Sequence, residues 1–166
     1  MAQRYAYLYS KKENKIEKRI FEFKWVAGGT LKSNRNCIKE LHRVIEEEGF
    51  GKALDVSVNT EGKLARSLIK NVILNNIEFR KNPTIVPVVF DHYSLIEQYL
   101  VISELSKNNE LSDFVLQFDA FTNISAKIDD EDKSAANVYC LYKYLVNNSL
   151  LEEYLTNPDK INVSFD

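Results

Sequence analysis

ALDVSVNTEGKLARSLIKNVILNNIEFRKNPTIVPVVFDHYSLIEQYLVISELSK, residues 53–107, decides the fold class of this chain. Leu54, Val56 and Val58 alternate with other residues at the period of a half-buried strand, and the stretch 59–62 with its Gly62 makes a turn. Leu64, Leu68, Ile69, Val72 and Ile73 then recur at helical spacing. Pro83 separates that helix from a strongly β-prone run, residues 85–90, in which Pro87 demands an edge, a bulge or a break. Asp91 or Ser94 caps a second helix whose apolar face carries Leu95, Ile96, Tyr99 and Ile102. The order strand, helix, strand, helix, with polar residues at the element ends, predicts an α+β scaffold whose loops carry a ligand site.

Working outward, Tyr5, Tyr7 and Tyr9 alternate as a strand, residues 11–15 interrupt it as a charged turn, and Ile20, Phe21, Phe23 and Trp25 form a second strand, so the pair reads as a hairpin. Gly28 and Gly29 permit the chain to change direction. Ser33 or Asn34 is expected to cap a helix with Ile38, Leu41, Val44 and Ile45 inward, which Gly49 ends. Towards the carboxyl terminus, Phe114, Leu116 and Phe118 predict another strand, followed by a loop rich in Asp and Asn. Asp132 then caps a long helix with Val138, Leu141, Tyr142, Leu145 and Val146 inside, and Ile161, Val163 and Phe165 alternate as an edge strand. With no repeat and no linker, the expected architecture is one domain, residues 1–166, of α+β class, with a small mixed or antiparallel sheet and several packed helices.

Composition narrows the function classes. The 45% hydrophobic and 28% charged residues exclude a wholly disordered chain, and a net charge of -2 gives no broad pull toward nucleic acid. No apolar run approaches the roughly 20 residues that span a bilayer, so no membrane association is expected and the chain reads as cytoplasmic. Cys37 and Cys140 are too few and too distant for a disulfide framework, and with His42 and His92 as the only histidines no metal centre is expected. Gly28-Gly29 lacks the spacing of a dinucleotide-binding loop and no Walker lysine is present, so no bound cofactor is expected either.

Five residues are singled out for ligand chemistry. His92 stands at a strand-to-helix junction beside Asp91, where an imidazole can hydrogen-bond or move a proton near neutral pH. Glu97 stands near the start of the following helix; its carboxylate can orient ribose hydroxyls or act as a general base, and its ordinary reading is a favourable acid in a first helical turn. Trp25 precedes the glycine loop and either stacks on a ligand or locks the hairpin to the core. Arg66 and Lys70 follow the turn at Gly62 and either meet phosphate or simply solvate the helix. His42, beside Leu41, reads as structural or surface-exposed.

Phe23-Lys24-Trp25, Gly29, Leu41-His42, Leu54-Asp55-Val56-Ser57 and Gly62 together resemble the front half of small bacterial and phage proteins. The run Val88-Val89-Phe90-Asp91-His92-Tyr93-Ser94-Leu95-Ile96-Glu97-Gln98-Tyr99 is similar to the strand, turn and Glu-bearing helix of the NADAR family. That resemblance implies action on N-glycosidic bonds of nucleotide-derived compounds or ADP-ribose adducts, with Glu97 as the catalytic or ribose-orienting carboxylate. The chain departs from the family pattern in lacking a compact Ser-Asn-Phe-like segment before the helix, and Lys107 is distant from Glu97 for the later lysine.

The leading expectation is therefore a nucleotide or ADP-ribose-derivative binding protein with N-glycosidic hydrolase activity. The alternative is a noncatalytic protein-interaction module of a phage or bacterial defence system, with Tyr139, Tyr144 and Tyr154 as amphipathic anchors for a protein partner. Edge strands near Pro87 or Phe165 would need cover, for which a homodimer is one solution.

Overall fold

Strands β1 (Ala2–Ser10) and β2 (Lys15–Phe23) form the expected antiparallel hairpin, in register from Ala2 opposite Phe23 to Ser10 opposite Lys15. They belong to a computed structural model that describes residues 2–23, 31–55, 93–125, 135–161 and 163. Period-two alternation divides β1 between two cores: Tyr7 and Tyr9 are buried on one face, Ala6 and Leu8 on the other. At the turn, Asn14 adopts φ 51, a left-handed conformation that Asn tolerates, and accepts a 3.0 Å hydrogen bond from the Tyr9 hydroxyl.

Helix α1 (Leu31–Glu47) covers the Ala6 and Leu8 face with Leu41 and Ile45, one helical turn apart. Its start at Leu31 corrects the expected caps, since Ser33 and Asn34 both lie inside the helix. Its end is as expected. Gly49 has φ 93, its N–H reaches the Glu46 carbonyl, and the Phe50 N–H reaches Ile45, the paired bonds of a Schellman cap. Phe50 packs onto the same core as Ile45, which is the apolar contact that accompanies this cap.

After β3 (Ala53–Asp55), the described chain resumes at α2 (Tyr93–Lys107) and continues through α3 (Asn109–Leu116), β4 (Ala120–Ser125), α4 (Ala135–Asn147), α5 (Leu151–Thr156) and a 3-10 turn at Pro158–Lys160. The expected strand through Phe114 and Phe118 is corrected: Phe114 and Leu116 lie in α3, whose first turn is capped by Asn108 Oδ1 accepting from the Leu111 N–H at 3.1 Å. Leu111 and Val115, spaced by four, are its buried side chains, and Phe114 meets Phe118 edge-on at 5.2 Å. The strand is instead β4, in the stretch expected to be a loop. No described residue of the tail is in a strand, since Ile161 and Val163 are irregular. Phe165, Val56, Val58, the helix expected at 64–73, the strand at 85–90 with Pro87, and the Asp132 cap lie outside the described residues.

The four described strands make one mixed sheet in the order β2-β1-β4-β3, antiparallel except for the parallel β3 and β4 pair. The fold is α+β, a single domain with α1 on one face of the sheet and the helices α2 to α5 on the other. In the larger core, Tyr7, Phe121, Ile102, Leu105, Leu111, Tyr142 and Leu145 are fully buried. Tyr139 and Tyr154 belong to this core, at 9% and 3% exposure, so they do not serve as surface anchors; both stand on helix faces turned inward. Tyr144 is half-buried and packs edge-on against Tyr9. Among the described residues, no helix is long and apolar enough to cross a membrane.

Candidate functional site

The pairing register brings three chain exits to one end of the sheet. β2 and β4 both run antiparallel to the central β1, and β3 runs parallel to β4, so β2, β3 and β4 all point the same way. Phe23 ends β2 opposite Ala2, Ser125 ends β4 opposite Gln3, and Asp55 ends β3 opposite Thr122. The segments 24–30, 56–92 and 126–134 follow these ends and lead into α1, α2 and α4. Carboxyl ends of aligned strands, from which helices depart, are where α/β sheets commonly receive ligands.

Four of the five residues expected to meet a ligand belong in sequence to these exits, and the fifth, Glu97, belongs to the helix that follows the second of them. Trp25 follows Phe23 by two positions, and Arg66, Lys70 and His92 belong to the segment between β3 and α2; all four lie outside the described residues. Glu97 is the fifth residue of α2, and the first turn of that helix holds no acidic residue. The reading of Glu97 as an ordinary first-turn acid is thereby corrected. Its side chain lies outside the described residues.

Two features near this end add to the sequence reading. On the α1 face, His42 is half-buried and its Nε2 lies 2.9 Å from Oγ1 of Thr122, a fully buried residue of β4 placed opposite Asp55. His42 thus has a structural role, in keeping with the sequence reading. On the other face, Asn137, third residue of α4, is 6% exposed, and its Oδ1 has no hydrogen-bond partner among the described residues. Buried amides are rarely left in that state. Sequence offers no signal for it, because Asn137 stands among alternating apolar and small residues of an ordinary helix.

The opposite end of the sheet is a structural clamp. Lys143, 5% exposed, donates from Nζ to the Leu116 carbonyl and approaches Asp119 Oδ1 at 3.3 Å as an ion pair without hydrogen-bond alignment. Asp119 sits at the entry to β4, where its own N–H and that of Ala120 both reach the Lys52 carbonyl. Cys140, fully buried nearby, has its thiol pKa pushed well up, by burial first and then by the Asp119 charge, with Lys143 opposing. Such a thiol is inert as a nucleophile. Among the described residues, no group of His, Cys, Asp and Glu is arranged to hold a metal ion.

Comparison with known proteins adds one finding. The family model NADAR-DarT1, described as DarT1-associated NADAR antitoxin, matches residues 2–92, more than half of the chain. The matched stretch contains β1, β2, α1 and β3 together with Trp25, Arg66, Lys70 and His92, and it stops five residues before Glu97. β4 lies beyond the match, yet it is hydrogen-bonded between β1 and β3. No curated protein matches the chain.

Proposed function

The chain belongs to the family of DarT1-associated NADAR antitoxins, and from that premise we propose that it counters a toxin by binding an ADP-ribose-bearing, nucleotide-derived molecule and hydrolysing its N-glycosidic bond. The observation that carries this reading is the convergence of the β2, β3 and β4 carboxyl ends, since in sequence Trp25, Arg66, Lys70 and His92 belong to the segments that leave there and Glu97 to the helix that one of those segments enters. Aromatic, cationic and carboxylate groups in that set match the parts of such a ligand in kind.

In the proposed reaction the bond from ribose C1′ to the base or adduct nitrogen breaks, the nitrogen keeps the electron pair and takes a proton, and water adds its oxygen to C1′. Positive charge develops on the sugar as that bond lengthens. Glu97 orients the ribose or accepts the proton of the attacking water, so that its negative charge is most valuable in the transition state. Arg66 and Lys70 meet the phosphates, Trp25 stacks on one face of the ligand, and His92 hydrogen-bonds the ligand or returns a proton to the leaving nitrogen.

The test is incubation of purified protein with NAD, ADP-ribose and ADP-ribosylated substrates, read by mass spectrometry. Release of ADP-ribose from an adduct supports the proposal; folded protein that neither binds nor turns over any of them contradicts it. The noncatalytic reading, in which the chain acts by contact with a protein partner, loses two of its three anchors because Tyr139 and Tyr154 are core residues. A homodimer is tested separately by light scattering over a concentration series, where a constant mass near 19.2 kDa identifies a monomer.

A further inference from the structure

Gln98 and Tyr99, the two residues that follow Glu97 in α2, both reach across to α5. Gln98 donates from Nε2 to the Tyr154 hydroxyl at 3.2 Å, and the Tyr99 hydroxyl donates to the Leu155 carbonyl at 3.0 Å. The rings of Tyr99 and Tyr154 also meet, with centroids 6.1 Å apart, and both tyrosines belong to the larger core. Leu155 is the next-to-last residue of α5, where a carbonyl has no partner within its own helix, so the Tyr99 hydroxyl completes it.

α5 is a firm abutment for these bonds. Left-handed Ser149 joins it to α4, with the Leu150 N–H on the Leu145 carbonyl at 2.8 Å, and the Asn157 N–H closes its other end on the Glu153 carbonyl at 2.8 Å. Further along α2, Ile102 and Leu105 are fully buried. The hydrophobic effect is non-directional, whereas hydrogen bonds from two adjacent helix positions fix both the roll and the slide of that helix. Glu97 and Tyr99 are about 3 Å apart along the helix axis, so the tie acts on the turn that carries the carboxylate. Side chains extend about 5–6 Å from a helix axis, and a roll of about 10° therefore moves a side-chain end by about 1 Å. A misplacement of that size can lower a rate by about a hundredfold.

We propose that Gln98 and Tyr99, through Tyr154 and Leu155 of α5, are positioning residues for Glu97, setting the roll of the helix that carries it without touching the ligand themselves. The inference rests on the reading of Glu97 given above and adds residues that the sequence did not single out. It also gives a functional part to α5, which lies beyond the matched residues 2–92. Directional bonds behind a reacting group hold it to the narrow range of geometry that catalysis needs.

A double-mutant cycle on the ADP-ribosylated substrate that wild type cleaves tests it, with kcat and KM taken from released ADP-ribose and ADP-ribose affinity from calorimetry. Tyr99→Phe keeps the ring and removes only the hydroxyl. Positioning predicts kcat lowered about tenfold or more, KM and the ADP-ribose Kd within about twofold of wild type, and no further loss beyond about twofold when Tyr99→Phe is added to Glu97→Gln. A merely structural hydroxyl would lower Tm and leave the kcat of folded protein near wild type, and that result overturns the positioning alone. So does an equal fractional loss of kcat in both backgrounds. If Tyr99→Phe fails to fold, Gln98→Met removes the other bond at similar side-chain length and carries the same expectations. Turnover that Glu97→Gln does not lower, or no turnover by folded wild type, overturns the reading of Glu97 and the positioning with it.

Discussion

His42 Nε2 and Thr122 Oγ1 lie 2.9 Å apart, and this contact fastens α1 to β4, the strand that joins β1 to β3. Thr122 is completely buried, so its hydroxyl depends on such partners within the protein. Thr122→Val keeps the shape and removes the hydroxyl. The expected loss is about 1 kcal/mol of unfolding free energy, measured as a lower urea midpoint at unchanged slope. An unchanged midpoint would remove this contact from the forces holding α1 in place.

Ser149 offers the reverse prediction. It follows α4 with φ 56, its N–H reaches Val146 and the Leu150 N–H reaches Leu145, the same cap that Gly49 makes for α1. Glycine carries no Cβ penalty in this conformation. Ser149→Gly is expected to stabilise by about 1 kcal/mol, raising Tm by about 2–4 °C in calorimetry. A fall in Tm would contradict the assigned cap.

Lys143→Met retains the apolar stem and deletes the charge that faces both Leu116 O and Asp119. The carbonyl loses a charged donor and the partly buried carboxylate loses its counterion. A loss of about 2 kcal/mol in urea denaturation is expected, with native circular dichroism retained. A neutral or stabilising result would show that desolvation of the lysine offsets the ion pair.

Tyr154 sets a pH limit. Burial pushes its phenol up to about 12, against a lowering hydrogen bond from Gln98 and a small upward effect of Tyr99. The unfolded phenol ionises near 10, so between pH 10 and 12 the unfolded state holds fewer protons and stability falls as pH rises. Below pH 10 the contribution is complete. Tyr99 and Tyr142 shift in the same direction, mainly through burial, and deepen the loss. Ultraviolet titration should show a class of phenols ionising late, and Tyr154→Phe should flatten the alkaline decline of the urea midpoint; an equally steep decline in that variant assigns it elsewhere.

Particular residues show why parts of the fold were legible and others were not. Tyr7 and Tyr9 alternate with Ala6 and Leu8, and both rows are buried, so the strand was readable while its central position was not. Phe114, Leu116 and Phe118 imitate a strand, but the Asn108 cap and the spacing of Leu111 and Val115 decide for a helix. β4 escaped notice because both of its faces are covered: Ala120 and Thr122 face α1 while Phe121 faces the other helices, so burial follows no polar alternation. The gathering of exits at one sheet end follows from nonlocal pairing, which no local pattern encodes. Asn137 is invisible for the same reason, since its burial is created by residues distant in sequence.

The most direct measurement of the central claim compares wild type with Glu97→Gln on an ADP-ribosylated substrate, following released ADP-ribose by mass spectrometry. The substitution keeps the side-chain shape and removes a charge proposed to act as the sugar becomes positive. The prediction is release by wild type, with kcat lowered about a hundredfold or more in Glu97→Gln while ADP-ribose affinity and Tm stay near wild type. Equal turnover by the two proteins, or no turnover by folded wild type on any ADP-ribosylated substrate, would contradict it.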